Sequence, residues 1–163
     1  MALKLHIMLF LLFPLLGMAQ INSTELKTTT EYMVQSPYTF TQTIERLQKV
    51  LKSKNITIFA TIDHKKAAEA VGESLPPATV LIVGNPKVGT ALMQENPLLA
   101  IELPLKILIY EDGKKVNIRY EKIAAIAEKY HIKQTFSTAE KIDAAMLQLI
   151  KSSIGEYPRG TAD

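Results

Sequence analysis

The alternation of apolar and polar positions divides the chain into short strands and amphipathic helices. Residues Thr30–Gln35 alternate with a period of two, which predicts a half-buried strand that ends before Pro37. A helix is predicted from Thr39, because Thr39 and Gln42 have the spacing of a capping box. Its apolar residues recur at spacings of four, three and four, which places them on one face toward a core. These residues are Phe40, Ile44, Leu47 and Leu51.

A second strand is predicted over Ile56–Ile62, followed by a short helix. The even-numbered residues of this strand are expected on one face and the odd-numbered residues on the other. Asp63 is a plausible N-cap for a helix over Lys65–Val71, and Gly72 is expected to end that helix.

The most apolar run of the remaining chain is Ala78–Gly84. It predicts an interior strand with both faces covered. After this strand, Asn85 can cap a helix that has Pro86 at its first position. Thr90 is an alternative cap, with Gly89 marking a bend.

The strongest hairpin signal is the dipeptide Asp112-Gly113. It predicts a two-residue turn between strands over Leu103–Glu111 and Lys114–Tyr120. The second of these strands alternates cleanly, with its even-numbered residues directed inward. This alternation predicts one solvated face and a position at the edge of the sheet.

Two helices are predicted at the carboxyl-terminal end. The first covers Glu121–Tyr130. The second begins at a capping box formed by Ser137 and Glu140, continues to Ile154 and is ended by Gly155. Its apolar stripe consists of Ile142, Met146, Leu149 and Ile150.

This order of elements predicts one α+β domain, with a mainly antiparallel sheet and helices packed on one face. The chain has 163 residues, of which 47% are hydrophobic and 21% charged, a composition that can bury one core. The expected divisions are a signal peptide over 1–19, a flexible lead over 20–29, the domain over 30–155 and a tail over 156–163.

The first nineteen residues have the pattern of an export signal. Lys4 provides a basic start, Leu5–Leu16 is apolar apart from one histidine, and small residues precede Gln20. The alternative is an uncleaved anchor, but twelve helical residues rise only about 18 Å. A bilayer core is about 30 Å thick. We therefore expect cleavage before Gln20, a periplasmic or secreted location, and no membrane attachment of the mature chain.

Composition excludes several classes of site. The chain contains no cysteine, so disulfides, thiol catalysis and cysteine-bound metals are excluded. Loss of Lys4 with the signal reduces the net charge from +3 to +2, too little for a nucleic-acid-binding surface. The mature chain keeps two histidines, so any metal would need carboxylates such as Glu95, Glu102 or Glu111. We predict no metal and no cofactor.

The sharpest candidate for chemistry is His64, beside Asp63 at the end of a predicted strand. An aspartate can orient an imidazole for general-base work. The alternative is that Asp63 caps the following helix and His64 is an ordinary residue of its first turn.

The loop from Gly84 to Thr90 is the second candidate. Backbone amides at a helix start can bind an anion, and Lys87 would add charge. The alternative is a tight turn in which Gly84 and Gly89 provide backbone freedom. Lys106 lies within an apolar strand and needs either a partner, with Asp63 and Glu102 as candidates, or a route to solvent.

Seven segments occur together in a specific order. They are Ser36–Tyr38, Phe59–His64, Leu75–Pro77, Gly84–Thr90, Leu92–Met93, Leu103–Lys106 and Glu111–Asp112. In these segments the chain resembles the bacterial domain of unknown function 302 (DUF 302), over roughly residues 30–130.

The resemblance implies a topology like that of the TATA-binding protein: one strand, a helix, four strands and a helix, here with short inserted helices. It also implies a homodimer. It brings no established activity and so no catalytic residue. The positions that recur in the family match Asp63, His64, Asn85, Pro86, Gly89, Thr90 and Lys106 here.

Three functional hypotheses follow. The first is an exported, non-enzymatic ligand-binding or accessory domain. Its small ligand would lie near His64, Asn85, Lys87, Thr90 and Lys106. The second is a periplasmic enzyme that uses His64 as a general base. The third is a structural or dimerisation module without a ligand.

Overall fold

The structure is a computed structural model, and it describes residues 30–155. The predicted signal peptide, flexible lead and tail lie outside the described residues. The sheet has five strands, and every neighbouring pair is antiparallel in the order β1-β5-β4-β3-β2. The strands are β1 Glu31–Ser36, β2 Thr57–Asp63, β3 Ala78–Gly84, β4 Leu105–Asp112 and β5 Lys115–Glu121.

Five α-helices and one 3-10 helix connect or follow these strands. The α-helices are α1 Phe40–Ser53, α2 His64–Glu69, α3 Pro86–Glu95, α4 Ile123–Lys129 and α5 Phe136–Ser153, and the 3-10 helix covers Pro97–Ile101. The described order is thus strand, helix, four strands and a final helix, with shorter helices inserted. This order confirms the predicted α+β class and topology.

The core lies between one face of the sheet and the helices. Alternate residues of β4 and β5 are buried there, together with Leu47 and Leu51 of α1 and Ile150 of α5. Burying a side chain of this size contributes roughly 1.5–3 kcal/mol. The opposite face of the sheet, called the open face below, is formed by residues of alternate parity and includes Met33 and Ile62, which are exposed. The period-two pattern therefore predicted the buried face of β5 correctly.

Two expectations about strand position were wrong. β5 is not an edge strand, because β1 pairs with it over six residues. The β3 run has strands on both sides, but within residues 30–155 it is covered on one face only. Its Val80 and Ile82 lie on the open face, while Leu81 and Val83 are fully buried. An apolar run shows that a strand is interior to a sheet, but it does not show how many of its faces are covered.

A β-bulge changes the direction of the side chains in β2. Ile58 is opposite buried Val83, whereas Ala60 is opposite Ile82 on the open face. The even-numbered residues of β2 therefore do not share a face, contrary to expectation. The inserted residue is Phe59, since a bulge sets two residues against one on the partner strand.

The caps that start the helices were predicted with mixed success. Thr39 forms the expected capping box with Gln42. The box expected at Ser137 is absent, because the N-cap of α5 is Thr135, two residues earlier, and Ser137 lies inside the helix. The expected hairpin is present, but Asp112 pairs with Lys115, so the turn is Gly113-Lys114. Gly113 has φ +59, a conformation that glycine adopts readily.

Candidate functional site

An apolar groove of about 530 Å³ lies on the helix-covered side of the sheet and is open to solvent. This apolar groove lies where β3 ends and where β2 and β4 begin. Its floor includes Val83 and Leu105 from the sheet, and its walls come from α3 and α5. Its size falls in the range of roughly 300–1,000 Å³ that is usual for small-molecule sites.

Local sequence explains how each wall is placed. α3 starts directly after β3, because the Asn85 side chain accepts a hydrogen bond from Lys87 N at 3.0 Å and Pro86 occupies the first helical position. This is the first of the two predicted caps. Thr90 instead donates its hydroxyl to the carbonyl of Pro86 at 2.7 Å. The wall formed by α5 results from its apolar stripe, of which Met146 and Leu149 contact the groove.

Polar contacts hold α3 and the 3-10 helix against the region around α4 and α5. The Glu95 carboxylate accepts hydrogen bonds from the amides of residues 133–135, at 2.7–2.9 Å, and from the Thr135 hydroxyl at 2.8 Å. Asn96 donates its side-chain amide to the carbonyl of Tyr130 at 3.0 Å. Glu102 accepts from Lys129 Nζ and from the Tyr130 hydroxyl, each at 2.8 Å. These contacts fix the separation of the walls.

The same contacts lower carboxyl pKa values. The backbone amides of Lys133 and Gln134 are the main causes that lower the pKa of Glu95 to about 2. The hydrogen bond from Lys129, followed by that from Tyr130, lowers the pKa of Glu102. Both carboxylates already have partners. Among the described residues, no group of three or more His, Asp or Glu side chains is placed to hold a metal ion.

A third carboxylate, that of Asp143, positions α4. Asp143, on α5, accepts from Ile123 N at 2.8 Å and from Ala124 N at 2.9 Å. It therefore caps α4 from another element, because the N-cap position, Lys122, supplies no side-chain cap. Burial raises the pKa of Asp143 although these two hydrogen bonds oppose the rise.

The structure does not bring the two sequence candidates together. In the β2–β3 pair, Asp63 is opposite Thr79, while Gly84 is opposite Thr57. His64 and Asn85 therefore lie at opposite ends of the β2–β3 pair, which is about six residues long. At about 3.3 Å per residue, the two are about 20 Å apart. The hypothesis that one ligand contacts both residues is therefore contradicted by the register.

The environment of His64 matches the simpler of its two interpretations. Asp63 accepts a hydrogen bond from Lys66 N at 3.0 Å and so caps α2. His64 is the exposed first residue of that helix. The Asp63 carboxylate is thus used by the backbone, and no bond from it to His64 is present in the described structure.

The backbone amides of the predicted anion site already form hydrogen bonds within the protein. The Asn85 side chain accepts a hydrogen bond from the amide of Lys87. The Asn85 backbone carbonyl accepts from the amides of Val88 and Gly89, at 3.0 and 2.9 Å. Gly84 and Gly89 do not have positive φ, so neither provides the backbone freedom that the sequence suggested. Of the predicted site residues, Asn85 and Thr90 line the groove.

Lys87 and Lys106 lie outside the lining of the groove. Lys87 is exposed at the start of α3. Lys106 is opposite Ile82 on the open face, and its Nζ donates to the carbonyl of Glu102 at 3.3 Å. Of the two partners considered for Lys106, Glu102 is therefore the one that contacts it, through its backbone.

Sequence reasoning missed most of the groove. Phe59 reaches it because of the bulge, and Thr138, Lys141 and Ala145 reach it from a second stripe along α5, next to the predicted one. The spacing of three and four residues in this stripe was a usable signal. No helix within residues 30–155 has the length and apolar character needed to cross a membrane.

Comparisons with known proteins agree with this fold. Residues 32–152 match the profile of the family described as "Domain of unknown function DUF302". The crystal structure of an uncharacterized conserved DUF302 protein from Bacillus stearothermophilus is similar, with a TM-score of 0.68 and 20% sequence identity. That similarity covers 78% of this chain and 98% of the other, and it concerns the fold.

Two curated relatives are longer proteins. The chain is 35% identical over 100 residues to fluoride-specific ion channel FluC 1 of Brucella suis, and likewise to FluC 2 of Brucella melitensis. The match covers 61% of this chain but only 39% and 37% of those relatives. The family profile covers most of the described domain, and on that ground this chain belongs to the DUF302 family.

Proposed function

We propose that this protein is an exported, non-enzymatic binding domain that takes a small apolar ligand in the apolar groove. The observation that carries the proposal is a groove of about 530 Å³ lined almost entirely by apolar side chains and open to solvent. Contact with water makes such a surface costly unless something covers it, because apolar area buried contributes about 25 cal/mol per Å². The export signal read from residues 1–19 supports the location.

The curated relatives support an accessory role. The region similar to this chain makes up less than two fifths of proteins named as fluoride-specific ion channels. A domain of this type therefore occurs as one part of a larger chain, as expected for a module that assists another activity by binding.

The proposal can be tested with a substitution that places a large side chain in the groove. Ala145 lines the groove on the exposed side of α5, whereas its neighbour Ala144 is equally exposed and does not line it. We expect Ala145→Trp to abolish the fluorescence gain of the neutral apolar dye Nile red, and Ala144→Trp to leave it unchanged. Equal capture of the dye by both variants and the natural protein would refute the groove as the site.

A second candidate function is self-association through the open face of the sheet. Met33 is 62% exposed and Ile62 41% exposed on this face. Glu31 and Arg119 add an ion pair there. A face that carries both apolar side chains and charges of both signs is suited to a second copy related by two-fold symmetry, since each sign can then meet its opposite.

Size-exclusion chromatography with light scattering tests this second candidate. We expect a dimer that Ile62→Lys converts to a monomer, because the added charge would be desolvated in the interface. Leu98→Lys is the matched control, since Leu98 is exposed on the 3-10 helix rather than on the sheet. A monomer in the natural protein, or a dimer in Ile62→Lys, would contradict the proposal.

A further inference from the structure

The apolar groove contains one charge. Its four polar lining residues are Asn85, Thr90, Thr138 and Lys141. Among the described residues that line it, Lys141 is the only ionisable one. Within residues 30–155, no carboxylate lines the groove and Lys141 forms no ion pair. A bound molecule therefore meets one uncompensated positive charge.

Polarity changes in a definite direction along the groove. Thr138 and Lys141 are three residues apart on α5 and so are neighbours on its surface. Farther along the same wall the lining residues are apolar, and the last of them, Leu149, is 8% exposed. They are Ile142, Ala145, Met146 and Leu149. From Lys141 to Leu149 the helix rises about 12 Å. The groove thus has a polar, exposed end and an apolar, buried end.

The other polar lining residues of α3 and its cap have little left to offer a ligand. The Asn85 side-chain oxygen already accepts a hydrogen bond as the cap of α3, and the Thr90 hydroxyl donates to the carbonyl of Pro86. The Lys141 ammonium can reach water while its aliphatic stem lies along the apolar wall. It is therefore the group available for a ligand that has one polar end.

We infer that the ligand is an anionic amphiphile, a medium-length acyl chain whose carboxylate pairs with Lys141 while its tail lies toward Leu149. This inference rests on the proposed binding function and adds the chemical class of the ligand. Charge complementarity selects the head group, since a carboxylate accepts charge-assisted hydrogen bonds from an ammonium. The length of the groove wall selects a tail of moderate length.

The test compares three amphiphiles that share one tail: dodecanoate, dodecanol and dodecyltrimethylammonium, each below its micelle concentration. Their affinities are measured by displacement of Nile red from the natural protein, Lys141→Met and Lys151→Met. Lys151 is the matched control, because it lies on the same helix and does not line the groove. Both variants lose the same charge.

We expect dodecanoate to bind most tightly, and Lys141→Met to weaken it about tenfold, the effect of losing one charge-assisted hydrogen bond. Dodecanol affinity should be unchanged in both variants, and Lys151→Met should bind dodecanoate normally. Equal affinity for the three head groups, or unchanged dodecanoate affinity in Lys141→Met, overturns the inference and leaves the groove function standing. If Nile red itself is not captured, the proposed function fails as well.

Discussion

The two ends of the β2–β3 pair both carry a side-chain N-cap, but the helices that these caps start are packed differently. Asp63 follows β2 and caps α2, while Asn85 follows β3 and caps α3, each accepting a backbone amide at 3.0 Å. α2 has no buried residue, whereas α3 buries Leu92 and forms a groove wall. A cap decides where a helix starts, and packing decides whether that helix contributes to a site.

Anchoring differs in the same way. Within α2 an ion pair joins the side chains of Lys65 and Glu69, four residues apart, at 3.9 Å. Exposed pairs of this kind contribute little. α3 is tied instead by Glu95 to a loop about forty residues later in the chain. Long-range contacts of this kind keep the wall of the groove in place.

The largest expected difference between the two ends comes from core packing. Leu92→Ala should lower the free energy of unfolding by roughly 2–5 kcal/mol, because Leu92 is 1% exposed and its removal leaves a cavity. Val71→Ala, just after α2, should change it by less than about 0.5 kcal/mol, since Val71 is 74% exposed. Urea denaturation measures both. Equal losses would remove the distinction between the two ends.

The next effect depends on pH. Because the pKa of Glu95 is lowered to about 2 in the folded state, its contribution is present above the ordinary pKa near 4.5 and is lost as pH falls toward 2. Glu95→Gln should therefore be less stable at pH 7 and show a shallower loss between pH 4.5 and 2. Thermal unfolding at a series of pH values measures this. A slope like that of the natural protein would show that Glu95 does not anchor α3.

Removal of the caps should have a smaller effect, and an unequal one. Asn85→Ala should lower the free energy of unfolding by about 1 kcal/mol, within the usual range for an N-cap. Asp63→Ala should instead increase hydrogen exchange within α2 and leave global unfolding nearly unchanged, because α2 has no buried residue. Exchange measured by mass spectrometry separates local from global opening. A global loss in Asp63→Ala would contradict the comparison.

The smallest effects are expected at two glycines. Gly89→Ala should raise stability by about 0.5–1 kcal/mol, because Gly89 lies inside α3 and an added Cβ would meet only Leu103 at 3.9 Å. Gly72→Ala should cost about 1 kcal/mol, because Gly72 follows α2 with φ +80. Melting temperatures of the two variants should move in opposite directions. Parallel shifts would show that α3 needs glycine for another reason.

Prediction of the fold from sequence succeeded where the controlling interactions are local. The capping box at Thr39, the cap at Asn85 and the stop at Gly155 depend on residues within a few positions. The alternation in β5 identified its buried face correctly. Prediction of the fold failed at Ser137. There Glu95, which is distant in the chain, accepts the hydrogen bonds from the amides that precede α5.

Prediction of the candidate site succeeded in part for the same reason. Asn85 and Thr90 were selected because they follow a strand, and they do line the groove. His64 was selected by the same rule. Because β2 and β3 are antiparallel, however, the residue that follows β2 lies at the opposite end of the sheet from the residue that follows β3. Lys141 was not selected, because its spacing from Thr138 and Ala145 indicates a shared helix face but not that this face lies opposite α3.

The sequence by itself determined the family, the α+β class, the alternation of strands and helices and the positions of most caps, since these depend on periodicity and on contacts between near neighbours. Tertiary structure alone decided that β1 pairs with β5, and that a bulge turns Phe59 toward the groove. The groove itself belongs to this second class. Its walls come from α3 and α5, and only folding brings them together around Lys141.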